Sequence, residues 1–404
     1  MIAESKDKQK IYEHLNKNRD CVYVNDIYIS ILNNNTQGTV LSRLAYTRIY
    51  TTFLLSIGLS GILIFLNLLF RVKIVKDKEL AIARVKREKT KIINVNKDVQ
   101  FIEDDIKNYD FSIYRIGTRL NRLSFAFRSF ISQCSEDFGR IRVLLNYEPL
   151  LPFAMEVLGA CAKRIPHTVM FKWSIEHVIN SYTLPTVYIG ATHERFALIC
   201  EEICCRYGKR LVCIPHGVET TEKMPAGYVG DVFFCSSVEM AAKLNELYES
   251  SKFIYDENTI RQMYSVKKIS SNSNLERRNI VFFTQPIYTD SSKKLIEKIA
   301  SFLSSRGIKL HLKIHPLEKQ SDYVIENSEI IPDFETAITG NICISLSSTA
   351  LLESLYNNSV AISIVCIIDN ELELTRNYDF LNDNRIEKPE HESTLFELLG
   401  KYCS

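Results

Sequence analysis

Two segments place polar side chains directly after apolar stretches of strand length. KIHP follows KLHL, and SLSST follows NICI. Because Pro316 cannot extend a β-ladder, we predict His315 at a strand tip, where a histidine can donate to an anionic oxygen. Ser347, Ser348 and Thr349 precede a helical pattern, and hydroxyls with free N–H groups at a helix start favour an anion. These residues predict a phosphate site; a capping histidine and an ordinary helix cap are the structural alternatives.

Three further segments carry candidate proton-transfer or positioning groups. PHG follows the run RLVCI; Gly217 allows close backbone approach, and His216 is placed to accept a proton from a hydroxyl group, unless it is a hydrogen-bonded turn histidine. TQPIYTD supplies Gln285 and Asp290, and Asp290 is either a helix N-cap or a catalytic or positioning acid. Glu194 follows the run TVYIG and either lines a ligand site or is an ordinary acid at a helix start.

Short apolar runs alternate with helix-length amphipathic segments along most of the chain. The runs predicted as strands are FSIYRI, IRVLLNY, HTVMFKW, TVYIGA, RLVCIPHG and DVFFCSS and, after a polar break, NIVFFTQP, KLHLKIHP, SEIIPD, NICISLSS and VAISIVC. This alternation predicts parallel, doubly wound sheets. Because the break separates two sets of strands, we predict an α/β fold of two Rossmann-like domains that face each other across a cleft, with ligands at the carboxyl ends of the strands.

The domain boundaries follow from the same pattern. Residues 1–48 are predicted to be the N-terminal part of the first domain, and residues 49–70 an apolar helix. Residues 71–263 form the Rossmann-like body of that domain, the polar residues 264–278 are the linker, and residues 279–404 form the second domain.

The composition excludes several classes of function. The chain has 404 residues, of which 46% are hydrophobic, which is typical of a globular protein. Its net charge of +2 does not indicate binding to a nucleic acid. Its 11 cysteines form no CxxC pair and fit a reducing compartment better than an oxidising one. No dinucleotide-binding or P-loop glycine motif occurs. The candidate segments contain no DxD-type pair of carboxylates, so we expect neither a cofactor nor a metal.

One long uncharged run is relevant to whether the protein associates with a membrane. Residues 49–70 read IYTTFLLSIGLSGILIFLNLLF, and residues 71–91 then carry nine Lys or Arg against three acids. About 20 apolar residues are enough to cross a bilayer as a helix. The basic stretch favours an anionic cytoplasmic leaflet. Two interpretations stay open: a membrane segment, peripheral or single-span, or a long helix buried in the first domain.

The second half of the sequence resembles a known group of enzymes. KIHPLE and SLSSTALLES resemble the HP motif and the serine-rich motif of bacterial sialyltransferases and capsule polysialyltransferases, and TQPIYTD is similar to the QP element of lipooligosaccharide sialyltransferases. These enzymes have the GT-B fold, need no metal and use CMP-sialic acid. The resemblance implies that His315 lies near the donor phosphate and that Ser347 and Ser348 bind it. It covers residues 279–366 well and the first half only loosely.

The resemblance has one departure. Polysialyltransferases carry an acidic triplet ending in glycine where this chain has PHG, and a His-Gly element is more like that of the teichoic acid polymerases. The capsule Kdo transferases, which also use CMP-sugars, share an HP element. Transfer of Kdo, of another sugar or of a polyol phosphate on the same fold therefore stays open, as does a non-catalytic, membrane-associated subunit of polysaccharide assembly.

The predicted function is inverting transfer from a CMP-sugar, with CMP-sialic acid favoured, to a cell-surface glycan such as capsule or lipopolysaccharide. His216, or alternatively Asp290, deprotonates the acceptor hydroxyl, and His315 stabilises the departing CMP. Donor contacts are expected from Gln285, Pro316, Ser347, Ser348 and Thr349, and acceptor contacts from Gly217 and Glu194. The partners are then a nucleotide-sugar donor, a glycan acceptor and a membrane surface, but no nucleic acid. The expected location is the cytoplasmic face of the inner membrane, peripheral or single-span.

Overall fold

The computed structural model describes residues 5–33, 43–69, 79–83, 99–103, 119–181, 183, 185–215, 219–265, 278–287, 289–368 and 378–403. The chain divides into two compact units, Met1–His216 with Lys223–Phe233, and Gly217–Glu222 with Phe234–Ser404. Most of the predicted linker, residues 266–277, lies outside the described residues. The predicted domain boundaries therefore stay a prediction.

The first sheet contains six strands: β1 (Glu79–Ala83), β2 (Val99–Glu103), β3 (Thr186–Ile189), β4 (Arg210–Cys213), β5 (Val232–Phe234) and β6 (Phe253–Ile254). Their order is β2-β1-β3-β4-β5-β6. The pairs from β2 to β5 are parallel, with Leu80 of β1 opposite Val187 of β3. The order reverses between β1 and β3, as in a doubly wound sheet.

Eight helices accompany the first sheet in the chain: α1 (Ser5–Lys17), α2 (Val24–Asn33), α3 (Arg43–Leu69), α4 (Arg119–Leu145), α5 (Ala154–Ser181), α6 (Arg195–Arg206), α7 (Val238–Tyr248) and α8 (Glu257–Tyr264). A 3₁₀ turn, Glu148–Phe153, precedes α5. α5 packs against α3, α4 and α6 and is the central helix of the first unit. Its middle is buried, for example at Met170 and Phe171, because neighbours cover it on several sides.

Two strand predictions in this half are wrong, because both runs are helical. IRVLLNY lies at the end of α4, where Ile141, Leu144 and Leu145 are buried while Val143 is exposed. That spacing of three and four residues is helical. HTVMFKW lies inside α5. A helix buried on most sides gives a continuous apolar run, which period alone does not distinguish from a buried strand. FSIYRI lies outside the described residues.

The second sheet also has six strands, all parallel: β7 (Ile280–Phe283), β8 (Leu310–Lys313), β9 (Ser328–Ile330), β10 (Ile342–Ser345), β11 (Val360–Ser363) and β12 (Ile386–Glu387). Their order is β12-β11-β10-β7-β8-β9. This is the doubly wound order of dinucleotide-binding sheets, with its reversal between β7 and β10. The predicted α/β class with two parallel, Rossmann-like sheets is confirmed.

The helices of the second sheet are α9 (Thr289–Ser304), α10 (Phe334–Ile338), α11 (Thr349–Leu355), α12 (Val365–Ile368) and α13 (Glu392–Cys403). β7 is buried along its whole length, as is β10, because helices cover both faces of a parallel sheet. Part of this core joins Val281 and Phe283 of β7 to Cys343 of β10 and Ala350 of α11. A rigid pair of central strands therefore carries the loops that follow them.

α3 contains most of the long apolar run. Ile49, Phe53 and Ile57 are buried along one side of the helix. The Phe53 ring stacks on Phe138 of α4, with ring centroids 4.5 Å apart. Among the described residues, no helix combines the length and the apolarity that crossing a membrane requires.

Candidate functional site

Two predicted donor-site segments meet where the strand order of the second sheet reverses. β7 and β10 are neighbours there, with Phe282 opposite Ile344. At such a reversal the helices that follow the two strands leave to opposite faces of the sheet, so a crevice opens at the carboxyl ends of the strands. Gln285 follows β7 at this edge, and Ser347 follows β10. Ligands of doubly wound proteins bind in this crevice.

Gln285 connects the two strand ends through its side-chain amide. Its Oε1 accepts a hydrogen bond from the backbone N–H of Ser347 at 2.7 Å and lies 3.3 Å from the hydroxyl of Ser345. Its Nε2 donates to Oγ of Ser347 at 3.4 Å. The Ser345 hydroxyl also donates to the carbonyl of Phe283 at 2.8 Å. Gln285 therefore holds the turn after β10 against the turn after β7.

Thr284 connects β7 to β8 in a similar way. Its buried hydroxyl accepts a hydrogen bond from the backbone N–H of His315 at 2.9 Å and donates to Oε2 of Glu318 at 2.6 Å. The hydroxyl of Tyr323 donates to the other carboxylate oxygen of Glu318. Burial, together with the bond to Glu318, raises the pKa of Tyr323. The loops after β7, β8 and β10 thus form one hydrogen-bonded cluster.

Sequence analysis missed Thr284 and Glu318. Both lie within the motifs, Thr284 directly before the QP pair and Glu318 three residues after His315. The local pattern gives no sign of their pairing, because the contact joins loops 34 positions apart. The sequence offers only the position of Thr284 between an apolar strand and the QP pair as a signal.

The ring of His315 has a defined hydrogen-bonding pattern. Its Nδ1 accepts the backbone N–H of Leu317 at 3.2 Å. A neutral ring therefore carries its proton on Nε2. The ring is partly buried, and its Nε2–H group can donate to an anionic oxygen without first gaining a charge. This arrangement fits the predicted contact of His315 with a phosphate.

The turn SLSST divides its hydroxyls between two tasks. Ser348 is the N-cap of α11 and accepts the backbone N–H of Ala350 at 3.2 Å, as the structural alternative required. Ser347 instead faces Gln285. α11 has only seven residues, Thr349–Leu355, so its dipole is weaker than that of a long helix. The groups that this turn could offer to an anion are therefore hydroxyls rather than a strong helix dipole.

Two other predicted donor-side residues lie at the same end of the sheet and take no part in the hydrogen bonds of the cluster given above. Asp290 is exposed and lies in the first turn of α9, one residue after the helix begins, rather than at its N-cap. An acid in the first turn of a helix is favourable because it interacts with the positive end of the helix dipole. Pro316 is exposed in the turn after β8, three residues beyond Lys313, the last residue of the strand.

At the first sheet, Glu194 braces the turn that follows β3. Its buried carboxylate accepts the backbone N–H of Thr192 at 3.0 Å and that of His193 at 3.3 Å. Arg195, the next residue, pairs with Asp26 of α2 at 2.8 Å. The carboxylate of Glu194 is thereby engaged in shaping the turn. Its predicted contact with an acceptor stays a prediction.

The same turn carries His193, to which sequence analysis gave no role. Its Nδ1 lies 2.7 Å from the hydroxyl of Thr192, and its ring meets Tyr228 edge to face with the centroids 5.4 Å apart. Asn25 of α2 donates to the carbonyl of His193 at 2.8 Å. These contacts fix the position of a histidine at the carboxyl end of β3, where ligands of doubly wound sheets bind.

His216 and Gly217, the predicted base and its neighbour, lie outside the described residues. The next described residue is Glu219, for which the sequence predicted no role. Oε1 of this buried residue accepts the backbone N–H of Ser236 at 2.6 Å and its hydroxyl at 2.9 Å. Burial raises the pKa of Glu219. A buried acid thus follows the predicted base three positions later in the chain.

Comparison with known proteins gives a distant likeness among solved structures. No family model matches the chain, and no curated protein matches its sequence. Among solved structures, the calicheamicin glycosyltransferase CalG4 aligns over 81% of this chain and 90% of its own, with a TM-score of 0.42 and 7% identical residues. At this distance nothing about donor, acceptor or chemistry follows from the likeness. Within the described residues, no group of three or more His, Cys, Asp or Glu side chains forms a metal site.

Proposed function

We propose that this chain is an inverting glycosyltransferase of the GT-B type whose donor is a CMP-sugar, with CMP-sialic acid favoured. The observation that carries the proposal is the cluster of Gln285, Ser347, Thr284 and His315 at the carboxyl ends of β7, β8 and β10. These residues belong to the QP, HP and serine-rich segments that resemble sialyltransferase motifs. The cluster also lies at the strand reversal, where a nucleotide binds in this topology.

The cluster supplies hydrogen-bond donors for the phosphate of a leaving nucleotide. The hydroxyl of Ser347 offers a hydrogen bond to a phosphate oxygen, and Nε2–H of His315 adds a donor as negative charge develops on the departing CMP. Breaking the bond between the anomeric carbon and the phosphate oxygen places that charge on CMP. The attacking acceptor hydroxyl forms the new bond from the opposite face of the sugar and gives its proton to a base.

Three residues are candidates for the base that accepts the proton of the acceptor hydroxyl. His216 is the proposed base, and Asp290 is the rival that the sequence offered. His193 joins them because it lies at the carboxyl end of β3, the strand next to β4. The acceptor is proposed to be a cell-surface glycan such as capsule or lipopolysaccharide, and the location the cytoplasmic face of the inner membrane.

Nucleotide binding tests the donor assignment. Isothermal titration of the full chain with CMP, CDP, UDP and GDP should show the tightest binding for CMP. The double variant Ser347→Ala with Ser348→Ala should weaken CMP binding roughly tenfold or more, because the hydroxyl donor of Ser347 and the cap that fixes the turn are both lost. Ser301→Ala, at an exposed serine of α9 outside the cluster, is the control. A double variant that binds CMP as tightly as the wild type would remove the proposed donor site, and tighter binding of CDP would favour polyol-phosphate transfer.

Turnover tests the base. His216→Ala should lower kcat by roughly 10²- to 10⁴-fold and leave CMP affinity unchanged, whereas His315→Ala should lower both. Asp290→Ala and His193→Ala are the comparisons. If either of these abolishes turnover while His216→Ala remains near normal, the base is that residue instead.

A further inference from the structure

The outer sides of α3 and α4 expose large apolar side chains. On α3 the exposed fractions are 44% for Tyr50, 49% for Leu54, 66% for Leu55, 65% for Leu59 and 59% for Ile62; on α4 they are 41% for Phe127 and 37% for Ile131. These seven residues are called the α3–α4 apolar face. Single exposed leucines are common, but a group of this kind marks a contact with a partner or a membrane.

The apolar face follows directly from helix geometry. Residues 54, 55, 58, 59 and 62 share one side of a helix, and residues 49, 53, 57 and 60 share another. The second set is buried, and the first set is exposed. α3 is therefore apolar on both sides, which explains why its sequence resembles a membrane segment although one side packs against protein.

Two glycines show that the face is open and continuous. A Cβ added at Gly58 would have no atom within 4 Å, so the centre of the face is uncovered. A Cβ added at Gly61 would lie 2.8 Å from Cε2 of Phe127. Gly61 thus brings the aromatic ring of α4 against α3, and the exposed residues of the two helices form one surface.

The charged side chains described on α3 and beside Phe127 on α4 are basic. α3 contains no acidic residue, and Arg48 on it is exposed. Arg128, next to Phe127 on α4, is exposed as well. In the sequence, residues 71–91 follow directly with nine Lys or Arg against three acids. A partner for this region therefore combines an apolar layer with negative charge.

We infer that the α3–α4 apolar face rests on an anionic lipid bilayer, with α3 lying in the plane of the headgroups. An interfacial helix buries its apolar side a few ångströms into the acyl boundary while cations contact anionic headgroups. Basic residues near such a helix strengthen the binding and make it sensitive to salt. Because the other side of α3 packs on α4 and α5, lipid meets one side only. The inference is independent of which sugar or nucleotide the chain uses.

Vesicle sedimentation of the full chain tests the inference. Wild type should sediment with phosphatidylcholine vesicles that contain about a third phosphatidylglycerol, less with pure phosphatidylcholine, and less at high salt. Leu55→Glu with Leu59→Glu should weaken partitioning into the anionic vesicles at least about tenfold, because two charges enter the apolar layer. The matched control is Val143→Glu with Val324→Glu, two residues that are 75% and 90% exposed outside the face.

Three results would overturn the inference. One is partitioning of the Leu55→Glu, Leu59→Glu variant equal to that of the control. Another is absence of wild-type binding to anionic vesicles. The third is a wild-type dimer in size-exclusion chromatography that this variant alone converts to a monomer, which would make the face a self-association surface. Circular dichroism and CMP binding verify that the Leu55→Glu, Leu59→Glu variant is folded. If this variant does not fold, Leu55→Gln with Leu59→Gln is used in its place. Retained CMP binding separates failure of this inference from failure of the proposed donor site.

Discussion

Thr284 is the residue on which the geometry of the candidate donor site depends most. Its single hydroxyl accepts a hydrogen bond from the loop after β8 and donates one to Glu318. It directly precedes Gln285, which reaches the loop after β10. Losing this hydroxyl leaves a backbone N–H without its acceptor and a carboxylate without one of its donors. A buried polar group left in that state costs about 1–3 kcal/mol.

Thr284→Val should therefore weaken CMP binding roughly 10- to 100-fold, because His315 and Gln285 lose their common support. Thr284→Ser keeps the hydroxyl and should bind CMP within about threefold of wild type. Isothermal titration measures both. Equal affinities of the two variants would show that the cluster does not organise the nucleotide site.

A second prediction concerns Asp137 of α4, which lines a cavity of about 820 Å³ in the first unit together with Arg140 and Lys172. Burial raises the pKa of Asp137 from 3.8 to about 6, and the charge of Lys172 opposes the shift only in part. The folded protein thus holds this proton to a higher pH than the unfolded chain does. The resulting stability is fully present below pH 3.8 and is lost as the pH rises to about 6.

Asp137→Asn removes this dependence. Relative to wild type, its free energy of unfolding should rise from pH 4 to pH 7 by about 1–3 kcal/mol, since each pKa unit corresponds to about 1.4 kcal/mol. Urea unfolding at several pH values gives the difference. A difference that stays constant with pH would mean that Asp137 titrates normally.

At the scale of elements, α3 supplies a pair of glycines in contrasting surroundings. Gly58 is open, whereas a side chain at Gly61 meets Phe127. Replacing a helical glycine by alanine gains about 0.5–1 kcal/mol of helix stability. Gly58→Ala should therefore raise the free energy of unfolding by that amount. Gly61→Ala should raise it less, or lower it, because the partly exposed ring of Phe127 must move. Thermal unfolding of the two variants side by side gives the answer; equal gains would contradict the contact.

The central strands of the second half were predictable because they are short, apolar and followed by a turn residue. The runs ending in QP, HP and SLSS are strands as predicted, and their shared sheet edge follows from parallel pairing. The first half was harder, since α5 is buried on most sides and its run HTVMFKW lacks a helical period. Thr284 and Glu318 were missed because a hydrogen bond between loops leaves no local pattern.

At the scale of the whole molecule, all 11 cysteines are free, and Cys205 is the exposed one. Burial raises the pKa of Cys161, Cys204 and Cys343 to about 12. Thiolates are the reactive form, so a thiol reagent should label Cys205 first and these three only after unfolding. The melting temperature should be the same with and without dithiothreitol. A drop in melting temperature on reduction would reveal a disulfide and contradict a reducing compartment.

Metal dependence is a prediction that concerns the whole molecule. The predicted donor contacts are hydroxyls, an amide and a histidine, which stabilise a leaving phosphate through hydrogen bonds and not through Mg²⁺. Activity should therefore persist in EDTA and should not increase when Mg²⁺ or Mn²⁺ is added. Loss of activity in EDTA with recovery on adding metal would rule out this chemistry.

The pairing of β1 with β3 has a consequence for how the chain is made. Leu80 lies opposite Val187, so the first sheet cannot close until the second of these residues has left the ribosome. At roughly 5–20 residues per second, that delay is on the order of 5–20 s. For most of that time, the apolar residues of α3 have been synthesised while α5, against which they pack, is incomplete. Slower synthesis of residues 84–187 lengthens this exposure, and yield in a cell should then depend on chaperone supply more than on the final stability of the fold.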